Sequence, residues 1–388
     1  MIMRRESFKR SPGRRSSLGL TLVELMIAMA LGLTLSVGVL QVYVGNNQLA
    51  REQEARMRMQ ENGRFAIHYL SQELRMAGYL GCLSAIEPEN INNVLNGPPP
   101  SFQPEAGIQG WESRHGNGTA PGVPFNSISD RPLESTASGN WLGSGGNVLD
   151  TFDALPGSDI VRAWNASGGG AEINSISGGA MTVINSTIGD LERGDIILLS
   201  DCERADWAQA CNVTVIGGGG SINTVLSAGC VPGNIPALPL GTTAGGQIVK
   251  LQGTLFYVGK RGGDATAPPA LFRRQLGSNA GIGVAEELVE GIESLQILYG
   301  VNSDGDTLQS VNAWVTANQV SDWSLVVAVR ISVLVQSIED NLMPAPQPYR
   351  FNGVLYDGTA GNGALPDDRR LRRVFTSTIT LRNRAVGR

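Results

Sequence analysis

Residues 20–44, LTLVELMIAMALGLTLSVGVLQVYV, form an apolar run of 25 residues that contains one charge, Glu24. As a helix rising 1.5 Å per residue, such a run covers about 37 Å, enough to cross the hydrocarbon core of a bilayer. A cleavable secretory signal has a shorter apolar core, with small residues at a site beyond it. Here the run is too long, and no such site follows before helical sequence resumes. An ordinary membrane anchor explains the length but not the acid, because a carboxylate deep in a spanning helix is costly unless paired. Thr21-Leu-Val-Glu24 also fits the S/T-x-x-E capping box, which would give Glu24 a purely local role at a helix start.

Charge is divided unevenly around this segment. Residues 1–19 carry Arg4, Arg5, Lys9, Arg10, Arg14 and Arg15 against Glu6, a net +5, so the −5 of the whole chain leaves −10 beyond Gly19. A nucleic-acid binder would concentrate positive charge on its folded part. A basic head that stays in the cytoplasm while an acidic body is exported fits better. All four cysteines, Cys82, Cys202, Cys211 and Cys230, lie beyond the apolar run. An even number in an exported region favours two disulfides, and the spacing, with no histidine beside a cysteine, does not suit zinc.

A short basic leader ending in Gly19, then Leu20-Thr21-Leu22-Val23-Glu24-Leu25-Met26, then an unbroken apolar helix resembles the class III signal of type IV prepilins. The resemblance implies that a prepilin peptidase cuts between Gly19 and Leu20 and methylates the new amine of Leu20. Glu24 then stands at mature position five, the acidic position of the family, where it is thought to pair with a neighbouring subunit's N-terminus. Leu20 stands where Phe is commoner. Cutting removes five net positive charges that would hold the helix at the cytoplasmic face, and it creates an amine one helical turn from the carboxylate.

Residues 45–77 lack proline and are rich in helix formers, so the helix is predicted to run on to Gly78, a rod of about 87 Å from Leu20 to Ala77. Leu49, Met57, Phe65, Ala66, Ile67, Leu70, Leu74 and Ala77 give a broken apolar stripe, expected to seat the rod on a globular domain. The expected divisions are a leader at 1–19, a membrane or fibre-core half at 20–44, an amphipathic half at 45–78 and a β-rich body at 79–388. His68, inside the helix, reads as a packing residue.

Abundant glycine, 50 of 388 residues, and an aromatic content of 6% favour many short strands and turns in the body. Residues 84–150 read as a long irregular loop, with strand pattern starting near Ser158. Strands are predicted at Asp159–Asn165, Met181–Asn185, Asp195–Ser200, Asn212–Ile216, Ile248–Val258, Leu271–Leu276, Ser294–Asn302, Trp323–Ser337 and Arg373–Arg382. A short helix is predicted at Val284–Ile292, and the glycine runs Gly168–Gly170 and Gly217–Gly220 read as hairpin loops. The fold class is α+β and pilin-like: a long hydrophobic spine helix packed on an antiparallel β-sheet domain.

Several segments narrow the resemblance. Ala77-Gly78-Tyr79-Leu80-Gly81-Cys82, Leu199-Ser200-Asp201-Cys202, the run Gly291–Asn302 and the last strand from Arg373 are similar to the minor pilin PilW family. That likeness implies the pairings Cys82–Cys202 and Cys211–Cys230. It also implies a role in type IV pilus assembly, as a priming-complex or tip subunit. The partners implied are other minor pilins, the major pilin, a tip adhesin, the inner-membrane assembly machinery and the prepilin peptidase. The location implied is the inner membrane, N-terminus cytoplasmic, then the pilus at the cell surface. Competing expectations are a J-type minor pseudopilin of a type II secretion system and a membrane-anchored periplasmic enzyme.

Other motifs carry less. Asn302-Ser-Asp304-Gly-Asp306 resembles the start of a calcium loop, but the twelfth position is Ala313 rather than Glu, and an Asp/Gly turn explains the same residues. No cofactor is expected, with calcium at Asn302, Asp304 and Asp306 as the one alternative. Asn117, Asn165, Asn185 and Asn212 match a eukaryotic glycosylation pattern that is incidental beside a bacterial signal. With only His68 and His115, a Ser-His-Asp or Cys-His arrangement has no basis, and no catalytic residue is assigned.

Overall fold

The computed structural model describes residues 21–79, 91–97, 107–113, 141–143, 154–155, 157–177, 180–184, 191–201, 203–216, 219–223, 230–231, 233–235, 245–264, 266–276, 283–304, 310–359 and 365–385. The chain divides into two compact units, Met1–Gln53 and Glu54–Arg388. The helix α1 (Leu22–Met76) contributes to both. In the first unit every described residue from Thr21 to Arg51 is exposed.

The second unit takes up α1 from Glu54. Met59, Gly63, Ala66, Leu70 and Leu74 are its buried positions, spaced by three or four residues as one helix face requires. This stripe departs from the predicted one. Ala66, Leu70, Leu74 and Ala77 are buried as expected, but Leu49, Met57 and Phe65 are 56%, 63% and 48% exposed. Gly63 replaces Phe65 on the buried face because a ring from the sheet already fills that place: a Cβ at Gly63 would lie 2.2 Å from Phe375. His68 is exposed rather than packed. The helix stops at Gly78, whose φ of 76° suits glycine and whose N–H donates to the Trp164 carbonyl at 2.8 Å.

Twelve strands form the larger sheet: β1 (Ile91–Asn93), β2 (Ile108–Ser113), β3 (Trp141–Gly143), β4 (Ile160–Ser177), β5 (Ala180–Ile184), β6 (Ile196–Ser200), β7 (Ala205–Gln209), β8 (Asn212–Ile216), β9 (Gly219–Asn223), β10 (Gln247–Lys260), β11 (Pro269–Leu276) and β12 (Glu286–Glu290). The main path runs β1-β7-β6-β10-β4-β5-β9-β8, with β11–β12 branching from β10 and β2–β3 from β4. The β1–β7 pair is parallel, and the other pairs are antiparallel. A second sheet joins β13 (Ile292–Val301), β14 (Ala313–Val315), β15 (Val326–Gln336) and β18 (Arg372–Thr380) in the order β14-β13-β15-β18, beside a hairpin of β16 (Tyr349–Phe351) and β17 (Val354–Tyr356). The chain closes with a short α2 (Arg382–Ala385). This is an α+β arrangement: one long N-terminal helix and a C-terminal body of antiparallel and mixed sheets.

The main core lies between α1 and the four-stranded sheet. Leu70 and Leu74 share one core with Leu295, Ile297, Val329, Ile331, Val333 and Ile379, to which the large sheet adds Val161, Ala163 and Phe256. Each fully buried leucine there stabilises by about 1.5–3 kcal/mol relative to exposure. Alternation along β15 sends Val329, Ile331, Val333 and Val335 inward.

Three sequence expectations fail. Val284–Ile292 is not a helix: Glu286–Glu290 is the edge strand β12, antiparallel to β11. Charge pairing supports it, with Arg273 across the ladder on Glu286 at 2.8 Å and Arg261, in the turn after β10, on Glu287 at 2.7 Å. Gly291, at φ 80°, then turns the chain into β13. Residues 84–150 are not one irregular loop, since they hold β1, β2 and β3, and β2 is buried at all six positions. Gly168–Gly170 lie inside β4, at the register shift where Ala171 pairs Ile248 but Ser167 pairs Lys250. By contrast β8 and β9 do form a hairpin, with Ile216 opposite Gly219.

Candidate assembly site

The site is built on the first unit. Gly19 and Leu20 lie outside the described residues. From Thr21 the capping box is formed in full. The Thr21 N–H and hydroxyl both donate to Glu24 Oε2 at 3.0 Å, and the Glu24 N–H donates to Thr21 Oγ1 at 3.3 Å. Glu24 is the sole charge from Leu20 to Ala50. Around and beyond it Leu22, Leu25, Met26, Ile27, Leu31, Leu35 and Leu40 are all exposed.

An exposed apolar helix is unstable in water and natural in lipid or against other apolar helices. Within it an 18-residue window reaches a mean hydropathy of 2.1 with none of that window buried, long and apolar enough to cross a membrane. The hydroxyls of Thr34 and Ser36 are satisfied within the helix. Thr34 Oγ1 donates to the Leu31 carbonyl at 2.9 Å, and Ser36 Oγ to the Gly32 carbonyl at 2.8 Å.

The second unit holds its own portion of α1 by polar contacts as well as by the core. Asn62 Nδ2 donates to the Glu290 carbonyl at 2.9 Å, where β12 turns into β13. Asn383 Nδ2 donates to the Met76 carbonyl at 3.3 Å at the helix end. At the foot of the four-stranded sheet Arg372 joins Glu293 at 2.8 Å and Asp368 at 2.6 Å, with its side chain 3% exposed. Burial opposes the charge on Arg372, and the two carboxylates outweigh it, holding the guanidinium above its usual range.

The family described as Type IV Pilus-assembly protein W matches residues 255–383, from the middle of β10 to α2. The prokaryotic N-terminal methylation motif matches residues 14–40, which include Gly19, Leu20 and Glu24. Together these two matches support a type IV pilus minor pilin. The two matched stretches are the signal with its apolar helix and the sheet that seats the rest of that helix. No curated protein matches the chain. A type IV-like pilin, TTHA1219 from Thermus thermophilus, aligns over 84% of this chain and 98% of its own at 11% identity and a TM-score of 0.31.

Of the other residues singled out in the sequence, Cys211 and Cys230 form a disulfide with Cα atoms 5.3 Å apart, as the family resemblance implied. Cys82 and Cys202 lie outside the described residues, as does Asp306. Asn302 is buried, and its N–H donates to the Leu325 carbonyl at 2.9 Å. The Asp304 carboxylate accepts from Asn312 Nδ2 at 2.6 Å, and Ser303 N–H donates to Asn312 Oδ1 at 2.7 Å, a turn closed by an amide. Among the described residues, no three His, Cys, Asp or Glu side chains converge.

Proposed function

We propose that this minor pilin is cut between Gly19 and Leu20 by a prepilin peptidase, methylated at the Leu20 amine, and then recruited through Glu24 into a complex that primes pilus assembly. The observation that carries this reading is the lone carboxylate at the start of an exposed apolar helix, behind a leader of net charge +5. Before assembly the chain sits in the inner membrane by one helix, leader in the cytoplasm and body in the periplasm. After assembly it belongs to the fibre or its tip.

Glu24 has two successive partners in this account. Its own Thr21 caps it in the free chain, which lowers the cost of an acid at the membrane edge. A neighbouring subunit's methylated amine then displaces those neutral donors, because a charge pair in a low-dielectric setting outweighs them. Other minor pilins, the major pilin, a tip adhesin and the inner-membrane assembly machinery are the partners. The match over 255–383 favours a pilus over a secretion-system pseudopilin. The role is structural, with no catalytic residue and no cofactor assigned.

Mass spectrometry of the N-terminal peptide from native cells tests the first step. N-methylated Leu20 is expected, and mature protein that retains residues 1–19 overturns the reading. The second step is tested by Glu24→Val. Processing stays normal while incorporation into pili falls by about tenfold or more, as loss of one charge pair in an apolar setting predicts. Unchanged incorporation removes Glu24 from the mechanism.

A further inference from the structure

Three acidic groups are sealed together where the two sheets of the body meet. Glu112 on β2, Asp159 ahead of β4 and Tyr299 on β13 are 7%, 2% and 0% exposed. Asp159 Oδ1 accepts the Ser113 N–H at 3.0 Å, and Oδ2 accepts the Ile297 N–H at 2.8 Å, so one carboxyl grips β2 and β13 together. Gln296 Nε2 also reaches Oδ1, at 3.5 Å. The Asp159 N–H donates to the Leu295 carbonyl at 2.8 Å, and Ser158 Oγ accepts the Leu295 N–H at 3.0 Å. The Glu112 carboxyl accepts the N–H of Ala317, at the start of a 3-10 turn between β14 and β15. Its Oε2 and the Tyr299 hydroxyl are buried with no hydrogen-bond partner among the described residues.

No positive charge faces these groups among the described residues. The 3-10 turn brings Ala317, Asn318 and Gln319, all neutral. Arg162 of β4 lies 5.2 and 5.6 Å from the rings of Trp111 and Trp164. Trp111 and Glu112 are adjacent in a strand and point to opposite faces, so the guanidinium is on the far side of the sheet. Arg330 of β15 pairs across from Leu298, the neighbour of Tyr299, and stacks on Trp314 on the other face of its sheet. Glu293, lower on β13, is taken by Arg372. Two ionised carboxylates at this depth, without a counter-charge, are higher in free energy than a pair that keeps a proton.

We propose that Glu112 and Asp159 form a proton-held clasp between the two sheets, closed while the pair carries a proton and loosened when it is lost. Two linked elements would part: β2 from the turn at 317–319, and the Ser158–Asp159 segment from β13. Burial, partly offset by the Ala317 N–H, lifts the Glu112 carboxyl to about 7. Burial and then the Glu112 charge lift Asp159 well above the ordinary carboxylate range. Both values rise on folding, so the folded chain binds more protons than the unfolded one. The contribution of Glu112 is complete below the ordinary value of 4.5 and is lost as pH rises through about 7. An exported body meets that window directly.

The test is amide hydrogen exchange of the full chain in detergent, at pH 5.5 and pH 8.5, corrected for intrinsic rates. Peptides containing Ser113, Ile297 and Ala317 should lose about tenfold or more protection at the higher pH relative to peptides of β15, one pKa unit being tenfold. Glu112→Gln keeps the shape and removes one of the two ionisations, so its loss of protection at the higher pH should be clearly smaller than that of the wild type. A wild-type seam indifferent to pH, or a Glu112→Gln seam that still loosens as the wild type does, overturns the proposal. If Glu112→Gln does not fold, infrared difference spectra of the wild type decide instead. The carbonyl band of a protonated buried carboxyl should fade with a midpoint near 7, and no such band overturns the proposal.

Discussion

β15 and β4 are the longest strands of their sheets, and they are built differently. β15 pairs with β18 through nine consecutive residues without a break, Ala328 opposite Thr380 to Gln336 opposite Arg372, and its two register shifts against β13 fall only at the ends of that ladder, at Ile292/Ser294 and Gly300/Val301. β4 pairs with β2, β5 and β10 along its length, and its register shifts against both β10 and β5. The regular strand belongs to the sheet that seats α1 and falls within the matched stretch 255–383. The irregular one belongs to the segment that the family match leaves out. A sheet that must present a flat seat to a helix tolerates little deviation, whereas a sheet that carries surface can bend at glycines and bulges.

That contrast can be tested by damaging one region and watching both. The largest effect is expected from Arg372→Ala at the foot of the helix-seating sheet. It strands Glu293 without its buried partner, so denaturant unfolding should show a loss of about 3–5 kcal/mol. A loss below about 1 kcal/mol, the size of an exposed pair, would mean that this sheet does not depend on its buried charges. Next comes the double change Cys211→Ser with Cys230→Ser, which opens a 19-residue separation in the larger sheet and should cost about 2–4 kcal/mol. Hydrogen exchange should place that loss in β7 to β9 and leave β13, β15 and β18 protected. Equal loosening of both sheets would make them one cooperative unit and end the distinction. The smallest effect is expected from Asn62→Ala, about 1 kcal/mol by thermal melting, for one hydrogen bond to the Glu290 carbonyl.

The same contrast explains what could be read from the sequence. The end of α1 at Gly78 and the strands over Asp195–Ser200, Leu271–Leu276 and Arg373–Arg382 were legible because local pattern determines them. The Thr21–Glu24 capping box was legible because S/T-x-x-E at a helix start is itself a local pattern. Glu286 and Glu287 misled because acids beside leucine and valine favour a helix, until Arg273 from β11 and Arg261 from the turn after β10 arrive, which the local pattern cannot see. Gly63 gave no hydrophobic signal, since its task is to leave room for Phe375. The Glu112–Asp159 seam was invisible for a similar reason: β2 lay in a segment without strand pattern, and Tyr299 joins it from the far half of the chain.

The short run Ser158–Asp159 has a consequence for how the body meets other chains. β14 covers β13 only from Tyr299 to Val301, which would leave the backbone near Leu295 and Ile297 as a bare margin. Bare margins recruit stray strands from neighbours and seed clumping. Two side chains and one amide hem this margin, so copies can be crowded together without that part of β13 zipping onto the next molecule.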